Sequence, residues 1–518
     1  MGYSRIEVPF MIYPAQTSLM AVQIALARFV ETGGPSASSG LYPYWYLGTT
    51  PFRYLTGPVL PLILVGLHRI LPSLTLFEVF FLVIGGCWVV GGIGVYSLVV
   101  SLANSFTSER RSPPSEECIR PPRRRFALMA AVFYLFGPLV LLMFRFSDGL
   151  YLVAFSFLPF TLLMYLKMLK KWTRGRAVAL LVTICFLTLL DSLIIPTLIL
   201  GMASVFLAQV GWKRAEEKLK QTFLIFAFSF LISTLWYTPG YWLTLLGAPS
   251  LAGKGLFSVI GELTKLLPTA LALVIAVVSV KFFKEKNKLR DFCFYWLFTY
   301  VFLTLLRFLS DPDFWMDWIS YGTELQLGLA VFGGMVVGRW ASNANSMRMK
   351  IVRINANVLI IFIIWLFLFN KYVIETLQSD ITQTVEYRIG KELDEKVRKG
   401  EKVFLSGSTA FWLNAFFDVA QVRGGVDQAA VDKDWREAVW EIRDGSTGAS
   451  TELSRTSSPQ EGERSVEWLR KLGVTYLVVH TGASEEFYQD FRNPEKFESM
   501  VGLRKVYDKS GDRIYKIN

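Results

Sequence analysis

The chain has 518 residues, of which 53% are hydrophobic and only 19% charged. Soluble domains run near a quarter charged, so this balance argues against an ordinary soluble globule and points to the membrane class. The formal net charge of +12 gathers in short loops between apolar runs, which is a topogenic pattern and argues against a nucleic-acid partner.

Residues 1–54 lack the basic start and compact apolar core of a signal peptide. "TSLMAVQIALARFVETGG" is expected to form an amphipathic helix closed by glycine, followed by the aromatic run "LYPYWYLGTTPFRYL". Residues 55–71 are apolar but short and hold Pro58 and Pro61, which favours a re-entrant or interfacial piece over a crossing helix. Apolar runs long enough to span then fall at 76–102, 126–143, 150–166, 177–190, 192–211, 222–238, 265–283, 291–306, 325–340 and 354–370. The expected fold is therefore a polytopic α-helical membrane protein, with about 10–11 transmembrane helices and a C-terminal soluble α/β domain. Three segments are expected: a first outer loop at 1–54, a helical membrane domain at 55–370 and an α/β domain at 371–518.

The loops at 103–125, 167–176, 212–221, 281–290 and 339–353 are basic, whereas 144–149, the point around Asp191, 238–264 and 307–324 are poor in Lys and Arg. This alternation predicts a multi-pass protein of the cytoplasmic membrane with its C-terminal domain outside. It also leaves residues 1–54 outside with no preceding span, so either that tail is translocated unaided or an N-terminal helix is missing from this chain.

In the C-terminal part, "TVEYRIGKELDEKVRKG" reads as a helix leading into the strand "KVFLSG". "ERSVEWLRKLG" reads as a helix ended by glycine, "VTYLVVH" as a buried strand, and "LRKVYDKSGDRIYKIN" as a hairpin turning at "SGD". The Ser/Thr/Gly/Glu stretch 445–463 is expected to be a mobile loop. This part has no cysteine: Cys87, Cys185 and Cys293 lie in apolar spans and Cys118 in a basic loop. With His68 and His480 the only histidines, zinc spacing is absent. The cofactor is unknown, and any divalent cation would have to rely on carboxylates. Neither a dinucleotide fingerprint nor a Walker lysine occurs.

Chemistry is best sought among the outer polar residues: Arg145, Asp148, Asp191, Lys254, Glu262, Arg307, Asp311, Asp313, Asp317 and Glu324. Ionisable groups near membrane depth are costly unless paired or lining a wet cavity. Asp191, in "LTLLDSLIIP", has apolar neighbours on both sides and reads either as a helix-end cap or as a functional carboxylate. In "RFLSDPDFWMDW", Arg307 can hold a phosphate, the three aspartates can act as bases or hold a cation, and Trp315 and Trp318 can stack on a sugar. A salt-bridged, belt-anchored loop is the plainer alternative. Arg53, Tyr54 and the tyrosines around them make a second cluster at 42–61, which reads as a polar, aromatic wall or, equally on composition, as an interfacial belt segment.

The layout resembles the GT-C superfamily, membrane glycosyltransferases that use polyprenyl-phosphate-linked sugars, and in particular prokaryotic relatives of oligosaccharyltransferases and protein mannosyltransferases. The features that carry it are "YPYWYLGTTPFRYLTGPVLPLI", "GIGVYSLVVSLA", "ALMAAVFYLFGPLVL", "DGLYLVAFSFLPFTLLMYL" and "ERSVEWLRKLGVTYLVVH". The resemblance implies inverting sugar transfer from a lipid carrier at an extracytoplasmic site, with an acidic residue of the first outer loop as base and an arginine on the donor phosphate. Carried over, Arg307 is the phosphate contact. Gln16 stands where the family places its aspartate, and the only acids in residues 1–54 are Glu7 and Glu31. Glu7, Asp311, Asp313 and Asp317 are thus the candidate catalytic acids. Arg307, Arg53, Tyr54, Trp315, Trp318, Asp148 and Asp191 are the candidate substrate contacts. The expected partners are membrane lipid, a polyprenyl-phosphate sugar, and an acceptor glycan, lipid or protein. The alternative is a non-catalytic scaffold or pseudoenzyme whose outer domain binds a partner or glycan. A transporter ranks below both, because the polar groups gather on one side and no inverted repeat is evident.

Overall fold

A computed structural model describes residues 19–34, 40–54, 56–104, 120–137, 149–210, 215–242, 287–310, 320–342, 381–425, 433–444, 459–486, 489–498 and 500–518. The described residues are mostly helical, with one small sheet. By packing, the chain divides into two compact units: Met1–Phe80 with Leu377–Asn518, and Phe81–Thr376.

The first unit is built on a five-stranded sheet. Its strands are β1 (Lys402–Phe404), β2 (Ala420–Gln421), β3 (Val474–His480), β4 (Leu503–Lys509) and β5 (Asp512–Ile517), in the order β2-β1-β3-β5-β4. β1 pairs in parallel with β2 and β3, while β5 runs antiparallel to β3 and β4. Period-two alternation sends Tyr476 and Val478 to one face of β3 and Leu477 and Val479 to the other, and both faces are buried. Val385, Ile389 and Leu393 of one flanking helix and Ala410 and Leu413 of another cover the first face. Trp435, Val439, Ile442 and Leu469 cover the second.

The predicted helix–glycine–strand unit is present. Pro459–Lys471 is helical, and Gly473 leaves it at φ +71, a left-handed value that glycine adopts without a Cβ penalty. The hairpin turns at Ser510 and Gly511, both at positive φ. One expectation is corrected. Residues 459–463 of the expected loop 445–463 are helical, because Pro459 at the first helical position gives up no needed N–H. The remaining 445–458 lies outside the described residues.

The N-terminal elements belong to this same unit. α1 (Leu19–Gly33) packs on α3 (Val59–Ile70) and on the helix Thr409–Phe416, with the short α2 (Pro51–Tyr54) between α1 and α3 in sequence. α1 was expected to be amphipathic, yet Met20 to Ala27 are all buried, so it serves as a core helix. Its polar contacts include Gln23 Nε2 donating to Thr56 Oγ1 at 3.3 Å, Arg28 reaching Asp418 at 3.2 Å, and Glu31 Oε1 at 2.6 Å from His68 Nδ1 on α3. At about 1.5 Å per residue, the 12 residues of α3 fall well short of a bilayer of about 30 Å.

The second unit is a layer of packed helices. α4 (Leu76–Asn104) enters it from the first unit. It is followed by α5 (Arg120–Leu135), α6 (Gly149–Lys170), α7 (Arg174–Leu190), α8 (Ile194–Gln209), α9 (Ala215–Thr234), α10 (Lys288–Ser310) and α11 (Ser320–Ser342). α6 packs on α7 and α8, α8 on α10, α10 on α11, and α11 on α5. Among the described residues, α4 and α6 are long and apolar enough to cross a membrane.

Three expected loops are shorter than predicted. "RPPRRRF" forms the first turns of α5, since prolines at a helix start forfeit no hydrogen bond. Ala215–Gln221 of the expected loop 212–221 belongs to α9. Of the expected connection 307–324, residues 307–310 belong to α10 and 320–324 to α11, and 311–319 lies outside the described residues.

Glycine sets the closest helix contacts in this unit. A Cβ on Gly334 would stand 2.7 Å from the Phe126 carbonyl oxygen and 2.8 Å from the Ala130 nitrogen, whereas nothing lies within 4 Å at Gly86. The same substitution should therefore act oppositely at the two sites. Gly334→Ala forces α5 and α11 apart at about 1–3 kcal/mol, while Gly86→Ala is neutral or stabilising by up to about 1 kcal/mol. Thermal unfolding in detergent reads both, and equal shifts would contradict the packing.

Candidate functional site

Most residues singled out from the sequence lie beyond what the structure describes. Glu7, Asp148, Asp311, Asp313, Trp315, Asp317 and Trp318 are outside the described residues. Arg53 and Tyr54 lie on α2, and Arg307 lies on α10. Two carboxylates from the outer polar set, Glu324 and Asp191, are described in full, and both are buried.

Glu324 stands at the beginning of α11, one turn into the helix. Its Oε1 accepts a hydrogen bond from the Tyr151 hydroxyl, near the start of α6, and another of 2.9 Å from Thr197 Oγ1, on the first turn of α8. Tyr151 and Thr197 are themselves 2.9 Å apart. The Trp296 indole of α10 donates to the Glu324 carbonyl at 2.7 Å, and buried Tyr300 follows one turn later on that helix. Four helices thus converge on one carboxylate. The starts of α6, α8 and α11 and the later half of α10 lie where the alternation of basic loops predicts the outer side. Arg307 comes two turns beyond Tyr300 on α10, roughly 10 Å farther along its axis.

Asp191 ends α7, where its N–H bonds Leu187 O at 2.9 Å. Its Oδ1 accepts the Leu193 N–H at 2.9 Å, which shapes the turn into α8. Both carboxylates are therefore tied to one corner, because Thr197 stands on the helix that Asp191 introduces. Beside Asp191 is an aromatic group from the segment after α9. Tyr237 and Tyr241 stack at 4.1 Å and Trp242 meets them edge-on at 5.5 and 5.3 Å. The Tyr241 hydroxyl bonds Ser192 Oγ, and the Tyr237 hydroxyl donates to Thr188 O at 3.0 Å.

A carboxylate that already engages hydroxyls, flanked by tyrosines and a tryptophan, has the chemistry to orient a polyol beside apolar ring faces. Among the described residues, no group of three or more His, Cys, Asp or Glu could hold a metal ion. Sequence reasoning placed Glu324 among the outer polar residues but gave it no role, and it missed Tyr151, Thr197, Ser192 and the Tyr237–Trp242 group. Hydroxyls inside apolar helices carry no periodic signal, and only their convergence marks them.

The first-loop cluster has a different setting. In the segment Tyr42–Thr49, Tyr42 and Trp45 are fully buried in the α/β unit, and Trp45 Nε1 donates to Asn414 Oδ1 at 2.9 Å. Gln421 N donates to Tyr44 O at 2.9 Å, and Tyr46 meets Trp435 edge-on at 5.4 Å. The expected polar wall or interfacial belt is, at these positions, a docked core segment.

No family model matches the chain, and no curated protein matches it. Among solved structures, the chain aligns with the crystal structure of ArnT from Cupriavidus metallidurans bound to undecaprenyl phosphate. That alignment has 12% identity and a TM-score of 0.40, and it covers 98% of this chain and 94% of that one.

Proposed function

We propose that this is a multi-spanning membrane protein of the glycosyltransferase type, which moves a sugar from a polyprenyl-phosphate carrier to an extracytoplasmic acceptor. The observation that carries the reading is the buried Glu324 carboxylate, held by hydroxyls from two other helices. An ionisable group at membrane depth is retained where it lines a substrate path. The loop-charge alternation supports a membrane setting. So does the α9 surface, where Phe223, Leu224, Phe228, Leu231 and nearby Leu235 are exposed as lipid-facing residues would be. In this reading the buried Glu324, Tyr151 and Thr197 and the Asp191 corner fix the helix ends that frame the transferred sugar, and Arg307 holds the carrier phosphate.

Purified protein given a synthetic polyprenyl-phosphate sugar tests the proposal. Glu324→Gln should keep the carrier bound, by mass spectrometry in mild detergent, yet lose transfer by about 100-fold, as misplaced substrates do. Arg307→Ala should lose the carrier itself. Carrier binding and transfer untouched by both changes would defeat the reading.

A non-catalytic scaffold remains the second reading, favoured by one observation. The first-loop segment, where the resemblance puts the catalytic acid, has no aspartate and is docked through Tyr42 and Trp45. Absence of transfer together with retained carrier binding in the parent would select it.

A further inference from the structure

The α/β unit contains a buried polar chain that sugar transfer does not use. Ser408 Oγ, just before the helix Thr409–Phe416, lies 2.5 Å from Glu386 Oε1 and 2.7 and 2.8 Å from the two oxygens of Glu486. The Ser408 N–H also donates to Glu486 Oε1 at 3.1 Å. All three side chains are buried. A hydroxyl has one proton to donate. Hydrogen-bond distance to two carboxyl groups therefore needs a second proton, carried by a carboxyl oxygen, because two bare carboxylates would repel across the serine.

The chain continues beyond Glu486. Thr409 Oγ1 donates to Glu486 Oε2 at 3.5 Å and lies 3.2 Å from His480 Nε2, while His480 Nδ1 lies 2.8 Å from Asp512 Oδ1. With its proton directed to Glu486, Thr409 must accept from His480, which then carries protons on both nitrogens. Ser484 Oγ closes the arc by donating to Asp512 and accepting the Glu486 N–H at 2.9 Å. Thr409, His480 and Asp512 have the spacing of a nucleophile, base and acid. Thr409 at 0% exposure and His480 at 1% are out of a substrate's reach, so the trio can relay protons but not attack.

We propose that Glu386 and Glu486 share one buried proton across Ser408, and that losing it as the pH rises loosens the start of the helix Val385–Lys396. Glu386 is the second residue of that helix, which follows the last expected span. The groups facing the pair come from several elements. On its own helix Arg388 pairs instead with Glu485 at the exposed surface, at 3.0 Å. The loop after β3 adds Asp490, bound to Arg423 and Arg443. β3 adds His480 and β5 adds Asp512.

Burial, then the neighbouring charge of Glu486, pushes the Glu386 carboxyl up to about 7 from its ordinary 4.5, against the Ser408 hydrogen bond. For His480 burial acts downward, but the Asp512 hydrogen bond and the charges of Glu486, Asp512 and Asp490 leave it raised. Both folded-state values lie above their unfolded ones. The Glu386 part of the stabilisation is therefore complete below about pH 4.5 and is lost as the pH rises to about 7, and the His480 part is lost as the pH rises above 6.5.

The test uses the full-length protein in detergent. Infrared difference spectra between about pH 5 and about pH 9 should show a protonated-carboxyl C=O band lost on alkalinisation in the parent and missing in Glu386→Gln. Hydrogen exchange of the amides at 385–396, corrected for intrinsic rates, should open by up to about tenfold per pH unit near neutrality, with that slope at least halved in the variant. No such band in the parent, or an unchanged slope in Glu386→Gln, overturns the proposal. Should the variant fail to fold, the band must persist in Asp191→Asn and in Glu324→Gln, whose buried carboxyls are the competing sources, and its loss in either overturns the proposal.

Discussion

Trp45→Ala is expected to destabilise the α/β unit by about 3–5 kcal/mol, the range for emptying a buried aromatic site. The indole is completely buried and is packed by Gly424 and Gly425, where an added Cβ would come within 2.9 Å of Trp45 Cγ and 3.0 Å of Cη2. Those glycines cannot grow to refill the space, and the backbone beneath them is tied in place by Tyr46 N donating to Arg423 O. The hydrogen bond is the smaller part. Asn414 Oδ1 also accepts from Gln421 Nε2 at 2.7 Å, so losing the indole leaves no orphaned acceptor. Trp45→Phe should accordingly recover most of the stability and forfeit about 1 kcal/mol. Chemical unfolding followed by hydrogen exchange in Thr409–Gln421 separates the two variants. If they were equally damaging, the packing argument would fail.

Asp490→Ala should be as severe for an electrostatic reason. Its carboxylate meets Arg423 Nη1 at 2.6 Å and Arg443 Nε at 3.2 Å, and accepts the Gly407 N–H at 3.0 Å. The Arg423 and Asp490 side chains are 4% and 3% exposed. Removing one partner of a buried pair strands the other charge, at about 3–5 kcal/mol. Arg443, at 22% exposure, can turn toward water, but Arg423 cannot. Asp490→Asn preserves shape and the Gly407 bond yet still removes the charge, so it should recover less than half of the loss. The exposed pair Lys220–Glu216 makes the contrast, since its truncation should change stability by less than about 1 kcal/mol. Thermal unfolding of the three variants at one salt concentration checks the order.

The local grammar of the α/β domain was legible because each signal was short in range: a glycine after a helix at Gly473, two turn residues at Ser510 and Gly511. Helix lengths were underestimated where charge or proline masked helical continuation, as in "RPPRRRF" and at Ala215–Gln221. Hydropathy measures apolarity and not backbone geometry. Tyr42 and Trp45 fit a polar, aromatic wall or an interfacial belt equally well by composition, which does not separate a ring that meets lipid or substrate from one that meets Asn414. The candidate site was half visible. Asp191 stood out as a charge in apolar surroundings and Glu324 only as one of the outer polar residues, whereas Tyr151 and Thr197 acquire meaning only from the register of α6 and α8 against α11, which no one-dimensional period contains.

α1 and the helix Thr409–Phe416 share one core, although the whole of Phe81–Thr376 is translated between them. At about 5–20 residues per second, α1 waits roughly 20–80 seconds on the ribosome's schedule before its counterpart emerges. During that interval the Met20–Ala27 surface, destined for complete burial, has no native cover from that helix. Closing so long a loop also opposes docking by about 5 kcal/mol of chain entropy. Assembly of this unit is therefore late in synthesis, and a chain stalled before residue 409 carries an apolar N-terminal surface that lacks this cover.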